Sequence, residues 1–126
     1  MEFAVEFGGE PQDVTVTASG VADVASLRRL VRTIAADERY RAGLLLLYEF
    51  GGLDMSQLSD RELELVIETV MERDWKFQPH AVAIVAGAKT IDMARLAIAH
   101  LGGSRSGRQL FTSSDDAVAW LATMRA

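Results

Sequence analysis

Several residue types and patterns are missing from this sequence of 126 residues. It has no cysteine, which excludes disulfide bonds, a thiolate metal site and a thiol nucleophile. It has no run of about 18 apolar residues, so we expect no membrane-spanning helix. The net charge of −5 argues against nucleic-acid binding, because phosphate contacts need a basic surface. The two histidines, His80 and His100, have no third candidate ligand nearby in sequence, so we expect no metal and no cofactor.

The composition predicts one folded domain that spans residues 1–126. Hydrophobic residues make up 49% of the chain, which is enough for a core and too much for disorder. The acidic, alternating start, Met1 to Glu6, differs from a signal peptide, so we expect a cytoplasmic protein. Arginine far outnumbers lysine and alanine is abundant, which is typical of a GC-rich bacterial genome.

Four consecutive leucines, Leu44 to Leu47, are the most informative segment of the chain. Without polar alternation, neither face of this strand can lie in water, which is typical of a central strand in a covered parallel sheet. A glycine-rich loop with Gly51 and Gly52 follows, and then a helix. The apolar run Ala81 to Val85 predicts a second buried strand followed by a helix.

The other segments complete an α/β fold in the order ββαβαβαβα. Alternating residues around Val5 and Val16 predict an N-terminal antiparallel hairpin. Residues 109–111 predict a short last strand. We therefore expect a mostly parallel sheet of about five strands, built from four βα units. The units could rise as one superhelix, or reverse direction at a switch point as in flavodoxin.

Helix starts and inward faces are also predicted. Asp23 and Thr90 are candidate N-caps, as is Ser113 or Ser114 for the last helix, and Ser59 with Glu62 forms a capping box. The inward residues predicted for the helix after Thr90 are Met93, Leu96, Ala97 and Leu101. The residues predicted to pack back from the last helix are Ala117, Trp120, Leu121 and Met124.

Three features together resemble a known family: the opening hairpin, an apolar strand that ends in the acidic Glu49, and the closing segment F-x(5)-A-x-x-W-L, here Phe111 to Leu121. They are similar to the SpoIIAA-like fold of STAS (anti-sigma-factor antagonist) domains, which is related to the lipid-binding SEC14/CRAL-TRIO core. The resemblance implies sequential strands with SpoIIAA-like superhelical turn order, and a regulatory or protein-interaction role without catalysis. Phospho-regulated STAS domains carry a Ser-Ser-Gly-like triplet before the second helix. Here Asp54, Ser56 and Ser59 occupy that region and the triplet is missing.

The loops after Glu49 and Val85 are the predicted interaction or ligand loops. Their candidate residues are Glu49, Phe50, Gly51, Gly52, Asp54, Ser56, Ser59, Gly87, Lys89 and Thr90. The sequence around Lys89 is not a phosphate-binding loop, because alanine stands at 83 and 88 where that motif has glycine. Segment 102–108 resembles a nucleophile elbow, but arginine stands at its centre, so we expect a turn.

The alternatives differ in what covers the two buried strands. If the helices lay on one side of the sheet, the apolar residues on its other side would lack cover. The first or last helix could cross over to cover them, or a dimer mate or an apolar ligand could do so. A protein partner or a homodimer is one hypothesis. A small apolar or lipid-like ligand is another, with a cavity predicted to be lined by Phe50, Met55, Met71, Trp75 and Phe77. An enzyme that uses Glu49 and Lys89 is the third.

Overall fold

A computed structural model describes residues 1–103 and 107–125. Strands and helices follow the predicted order. They are β1 (Glu2–Phe7), β2 (Val14–Val21), α1 (Val24–Ala36), β3 (Leu45–Asp54), α2 (Asp60–Lys76), β4 (Ala81–Ala86), α3 (Ile91–His100), β5 (Arg108–Phe111) and α4 (Ser114–Arg125). None of the helices in the described ranges is long and apolar enough to cross a membrane.

The strands form one sheet in the order β1-β2-β3-β4-β5. β1 pairs antiparallel with β2, with Val5 opposite Val16, and every later neighbour is parallel. The predicted fold class is therefore confirmed. The sequential order is that of one superhelix, and the alternative with a reversal at a switch point is wrong.

β3 lies at the centre of the sheet, and its leucines are buried on both faces, as predicted. Leu45 to Leu47, and Leu44 just before the strand, are each at most 4% exposed. Successive side chains of a strand point to opposite faces. Leu46 and Tyr48 belong to a core shared with α1 and α2, whereas Leu45 and Leu47 belong to a second core shared with α4.

The second core covers the face that could have remained open. Ala117 and Leu121 of α4 are fully buried against Leu45, Leu47 and the alanines of β4. α1 and α2 pack on the opposite face, where residues of α3 join them. The hypothesis that the last helix covers the sheet is confirmed, so this face needs neither a dimer mate nor a ligand.

Hydrogen bonds hold α4 at both ends. At its start, Ser114 Oγ donates to Glu49 Oε2 over 2.7 Å. At its end, Arg125 donates to the Pro11 carbonyl and to Asp13 Oδ1, each over 2.7 Å. Asp13 Oδ2 also accepts from the Leu45 N–H at 2.9 Å. Burial raises the pKa of Asp13, but these hydrogen bonds lower it more, so the pKa lies below its usual value.

Most predicted helix starts are confirmed. Asp23 accepts a hydrogen bond from the Ser26 N–H at 2.8 Å, and Ser59 and Glu62 form the complete capping box of α2. Ser113, rather than Ser114, precedes α4, and its hydroxyl accepts from a backbone N–H of the first turn.

Three local predictions are wrong. Thr90 makes no side-chain cap, because its hydroxyl donates to the Leu53 carbonyl at 2.5 Å instead. Leu96 is 42% exposed, since α3 buries mainly the face with Ala94. Gly51 and Gly52 are not a loop, because β3 continues to Asp54 alongside the end of β2. The centre of the turn predicted for 102–108 lies outside the described residues.

We expect Leu121→Ala to lower the free energy of unfolding by about 2–5 kcal/mol, because it leaves a cavity over Leu45 and Leu47. The same change at the exposed Leu96 should cost less than about 1 kcal/mol. Urea unfolding followed by circular dichroism measures both. Equal losses would contradict the assignment of α4 as the cover of this face.

We expect Asp13→Asn to lower the free energy of unfolding by about 1 kcal/mol at pH 7, because the partly exposed carboxylate loses charge-assisted hydrogen bonds. The folded pKa of Asp13 is below its unfolded value, so this stabilisation is present above the unfolded pKa of 3.8. It is lost as the pH falls through the folded pKa. The difference between wild type and variant should therefore shrink in acid.

Urea midpoints from pH 7 to pH 2 test this expectation. Asp92→Asn is the control, because Asp92 has a side chain 90% exposed. A difference for Asp13→Asn that stays constant with pH would refute the proposed linkage.

Candidate functional site

Strand alternation separates the predicted residues Glu49 and Phe50. They are neighbours in β3, so their side chains lie on opposite faces of the sheet. Glu49 is on the α4 face, where it accepts a hydrogen bond from Ser114. Phe50 is on the other face, in contact with Tyr48 at 5.2 Å between ring centroids. One loop site that uses both side chains is therefore not formed.

The loop after β4 is fastened to the end of β3. The Met55 N–H donates to the Lys89 carbonyl at 3.0 Å. A Cβ on Gly87 would lie 2.9 Å from the Gly51 carbonyl oxygen, so only glycine allows this approach. Thr90 adds its buried bond to Leu53. Gly51, Gly87 and Thr90 therefore have structural contacts, whereas the Lys89 side chain is exposed.

The carboxylate and hydroxyls from the end of β3 to the start of α2 have local hydrogen-bond partners. Asp54 Oδ1 accepts from the Ser56 N–H at 2.9 Å and from the Ser56 hydroxyl at 2.5 Å. These bonds, with a smaller effect of Lys89, hold the pKa of Asp54 below its usual value. Ser59 is engaged in the capping box. Gly52 packs beside Ser19 of β2.

Between the sheet and the three helices α1, α2 and α3 lies an apolar cavity of ≈ 90 Å³ that is partly open to solvent. It lies on the face of the sheet opposite α4. Its apolar wall consists of Leu27, Leu30, Val31, Phe50, Met55, Leu63, Val66, Val70, Val82, Ile84, Ala94, Ala97, Ile98 and Leu101.

This wall matches the predicted lining only in part. Phe50 and Met55 line the cavity as predicted. Met71 and Trp75 do not, because they are 54% and 93% exposed on the outside of α2. Phe77 packs edge-on against Tyr40 with 6.1 Å between ring centroids, away from the cavity. Predicting a lining from local aromatic content fails here because α2 presents a different side to the sheet.

Three polar side chains join the cavity wall and were missed: Tyr48, Arg73 and Arg108. The side chains of Arg73 and Arg108 are 2% and 4% exposed. A signal for Arg73 was available, since it follows Val66 and Val70 at seven and three residues, on the inward stripe of α2. No local pattern marks Arg108 as buried.

Metal ligation has no visible basis in the part of the chain that is described. No group of three or more His, Cys, Asp or Glu side chains there could hold a metal ion.

The chain matches no protein-family model and no curated protein sequence. It is similar in structure to an uncharacterised protein of the DUF3478 family from Shewanella loihica PV-4, which has a SpoIIAA-like fold. The TM-score is 0.61 at 19% sequence identity, and the match covers 94% of this chain and 93% of that one. The resemblance predicted from the hairpin, the leucine strand and the closing segment is confirmed at the level of fold: this chain has a SpoIIAA-like fold.

Proposed function

We propose that this chain is a non-enzymatic binding domain whose binding site is the apolar cavity between the sheet and α1–α3. One observation carries the proposal: an apolar cavity of ≈ 90 Å³ remains between the sheet and three helices. Empty space of this kind is uncommon in a native core and costs stability, whereas small apolar molecules occupy such cavities. A small apolar ligand fits this wall.

The absence of catalysis is part of the proposal, and the positions of the candidate groups support it. Glu49 lies on the far side of the sheet and bonds to Ser114. Asp54 is bonded to Ser56, with a pKa below its usual value, which makes it a poor proton donor at neutral pH. Neither carboxylate, nor Lys89, lines the cavity.

We expect 1-hexanol to bind in the cavity and Ala97→Leu to weaken this binding at least tenfold. Ala97 lines the cavity, so three added carbon atoms would occupy the space that the ligand needs. Ala99→Leu is the matched control, because Ala99 is exposed on the same helix and is not part of the wall. Titration followed by amide chemical shifts in NMR measures the affinity and locates the ligand.

Amide shifts near Phe50 and Ala97 are expected to move in the wild type and in the Ala99→Leu variant. No shift changes at saturating 1-hexanol, or equal affinity in both variants, would exclude the cavity as the binding site.

A second candidate function is protein interaction through the outer face of α2. We define this face by Glu64, Glu68, Met71, Glu72 and Trp75. Trp75 is 93% exposed and Met71, one turn before it, is 54% exposed. An exposed tryptophan and methionine side by side are typical of an interaction surface. A second copy of the chain offers matching charge, because Arg29 and Arg32 are exposed on α1.

For this candidate we expect a homodimer that dissociates at high salt and that Trp75→Ser weakens at least tenfold. Val21→Ser is the control, because Val21 is an exposed apolar residue, 55% exposed, on β2. Sedimentation equilibrium at several protein concentrations measures the association. A monomer at all concentrations, or a dimer that Trp75→Ser leaves unchanged, would rule out self-association through α2.

A further inference from the structure

Two buried guanidinium groups belong to the wall of the apolar cavity. Arg73 comes from α2 and Arg108 from the start of β5. The carboxylate of Asp74 lies between them: Oδ2 accepts from Arg108 Nη2, and Oδ1 lies 3.5 Å from Arg73 Nη2. The Tyr48 hydroxyl accepts from Arg73 Nη1 at 2.6 Å. The surface of the cavity is therefore almost wholly apolar, and this cluster of charges belongs to the residues that form its wall.

The charges of this cluster do not balance. Two guanidinium groups share the one carboxylate of Asp74, and no second carboxylate of the described residues lies within ion-pair distance of either. Burial lowers the pKa of Arg73, but the phenolic oxygens of Tyr48 and Tyr40 and the Asp74 carboxylate raise it more, so the group remains charged. An uncompensated buried charge destabilises a fold unless an anion joins it.

One donor of the cluster is also unused. The Nε–H of Arg73 is buried and has no hydrogen-bond partner among the described residues, although both Nη atoms have one. Buried donors in native proteins nearly always have a partner, and an exception calls for an explanation such as a missing ligand. Both the excess positive charge and the unpaired donor belong to the same side chain of the cavity wall.

We propose that the ligand of this cavity is an aliphatic carboxylate, whose acid group binds Arg73 and whose chain lies against the apolar wall. This inference rests on the proposed binding function and names its ligand class. A carboxylate accepts hydrogen bonds from a guanidinium in the plane of its fork, and Nε is one of the donors of that fork. A monoanion also matches the single excess positive charge, whereas a phosphate monoester, with a charge of about −1.5 to −2, would exceed it.

The size of the cavity sets the length of the chain. It measures ≈ 90 Å³. A cavity of about 150 Å³ accepts benzene, which has six carbons, so this smaller cavity holds about four carbons of a chain, and the end of a six-carbon acid extends to its open side. Hexanoate and its neutral counterpart 1-hexanol are therefore the probes, and hexyl phosphate tests the alternative headgroup.

The wild-type protein gives the first test and needs no substitution. We expect hexanoate to bind at least tenfold more tightly than 1-hexanol and than hexyl phosphate in calorimetric titrations. In ¹H–¹⁵N spectra of arginine side chains, the Nε–H resonance of Arg73 should move with hexanoate and stay in place with 1-hexanol, because only the acid offers this donor a charged acceptor.

Substitution gives the second test. Arg73→Met keeps an unbranched chain as far as the position of Nε and removes the charge, so hexanoate affinity should fall at least tenfold while 1-hexanol affinity changes less than threefold. Arg95→Met is the matched control, because Arg95 is an exposed arginine of α3, with its side chain 67% exposed, outside the cavity wall. If Arg73→Met does not fold, the comparison of ligands on the wild type decides alone.

The outcomes separate the two proposals. Binding of neither ligand would overturn the proposed binding function together with this inference. Equal binding of hexanoate and 1-hexanol, tighter binding of hexyl phosphate, or hexanoate binding that leaves the Arg73 Nε–H resonance unmoved would overturn the carboxylate inference and leave the cavity function standing.

Discussion

Both faces of β3 are buried, and this double burial decides where the helices pack. A strand that begins with three successive leucines, Leu45 to Leu47, requires cover on each side, because burying each leucine contributes about 1.5–3 kcal/mol. α4 provides the cover on one side, and α1 and α2, joined by residues of α3, provide it on the other. The α4 face is closed by Leu121, whereas packing on the opposite face leaves the cavity.

The same alternation divides the chemistry of the chain between the two faces. Glu49 points to α4 and accepts a hydrogen bond from Ser114 of that helix. Tyr48 points to the cavity and accepts a hydrogen bond from Arg73. The polar groups at the ends of β3 and β4 are largely engaged with one another, as in Asp54 with Ser56. The unpaired polar atom that matters for the proposed binding is therefore inside the core rather than at the strand ends, where α/β folds usually place their sites.

Local patterns predicted much of the fold. The capping box at Ser59 and the leucine strand depend on residues that are neighbours in sequence, and both are confirmed. The side of the sheet that α4 covers depends on packing between distant segments, so the sequence left it open. Thr90 was wrongly predicted to cap α3 with its side chain, because its hydroxyl donates instead to the carbonyl of Leu53 in β3. The cavity forms only when three helices pack on the sheet, so no local pattern predicts it. Arg108 is likewise paired with a distant residue, Asp74 of α2, so its neighbours in sequence gave no sign of burial.

In the proposed complex, the cavity holds an acid group against the guanidinium of Arg73. A crystal structure of the protein grown with hexanoate would show where the acid group lies. We expect electron density for the chain between the sheet and α1–α3, with a carboxylate oxygen within hydrogen-bond distance of Arg73 Nε. An unoccupied cavity, or a chain whose carboxylate points to solvent away from Arg73, would exclude this mode of binding.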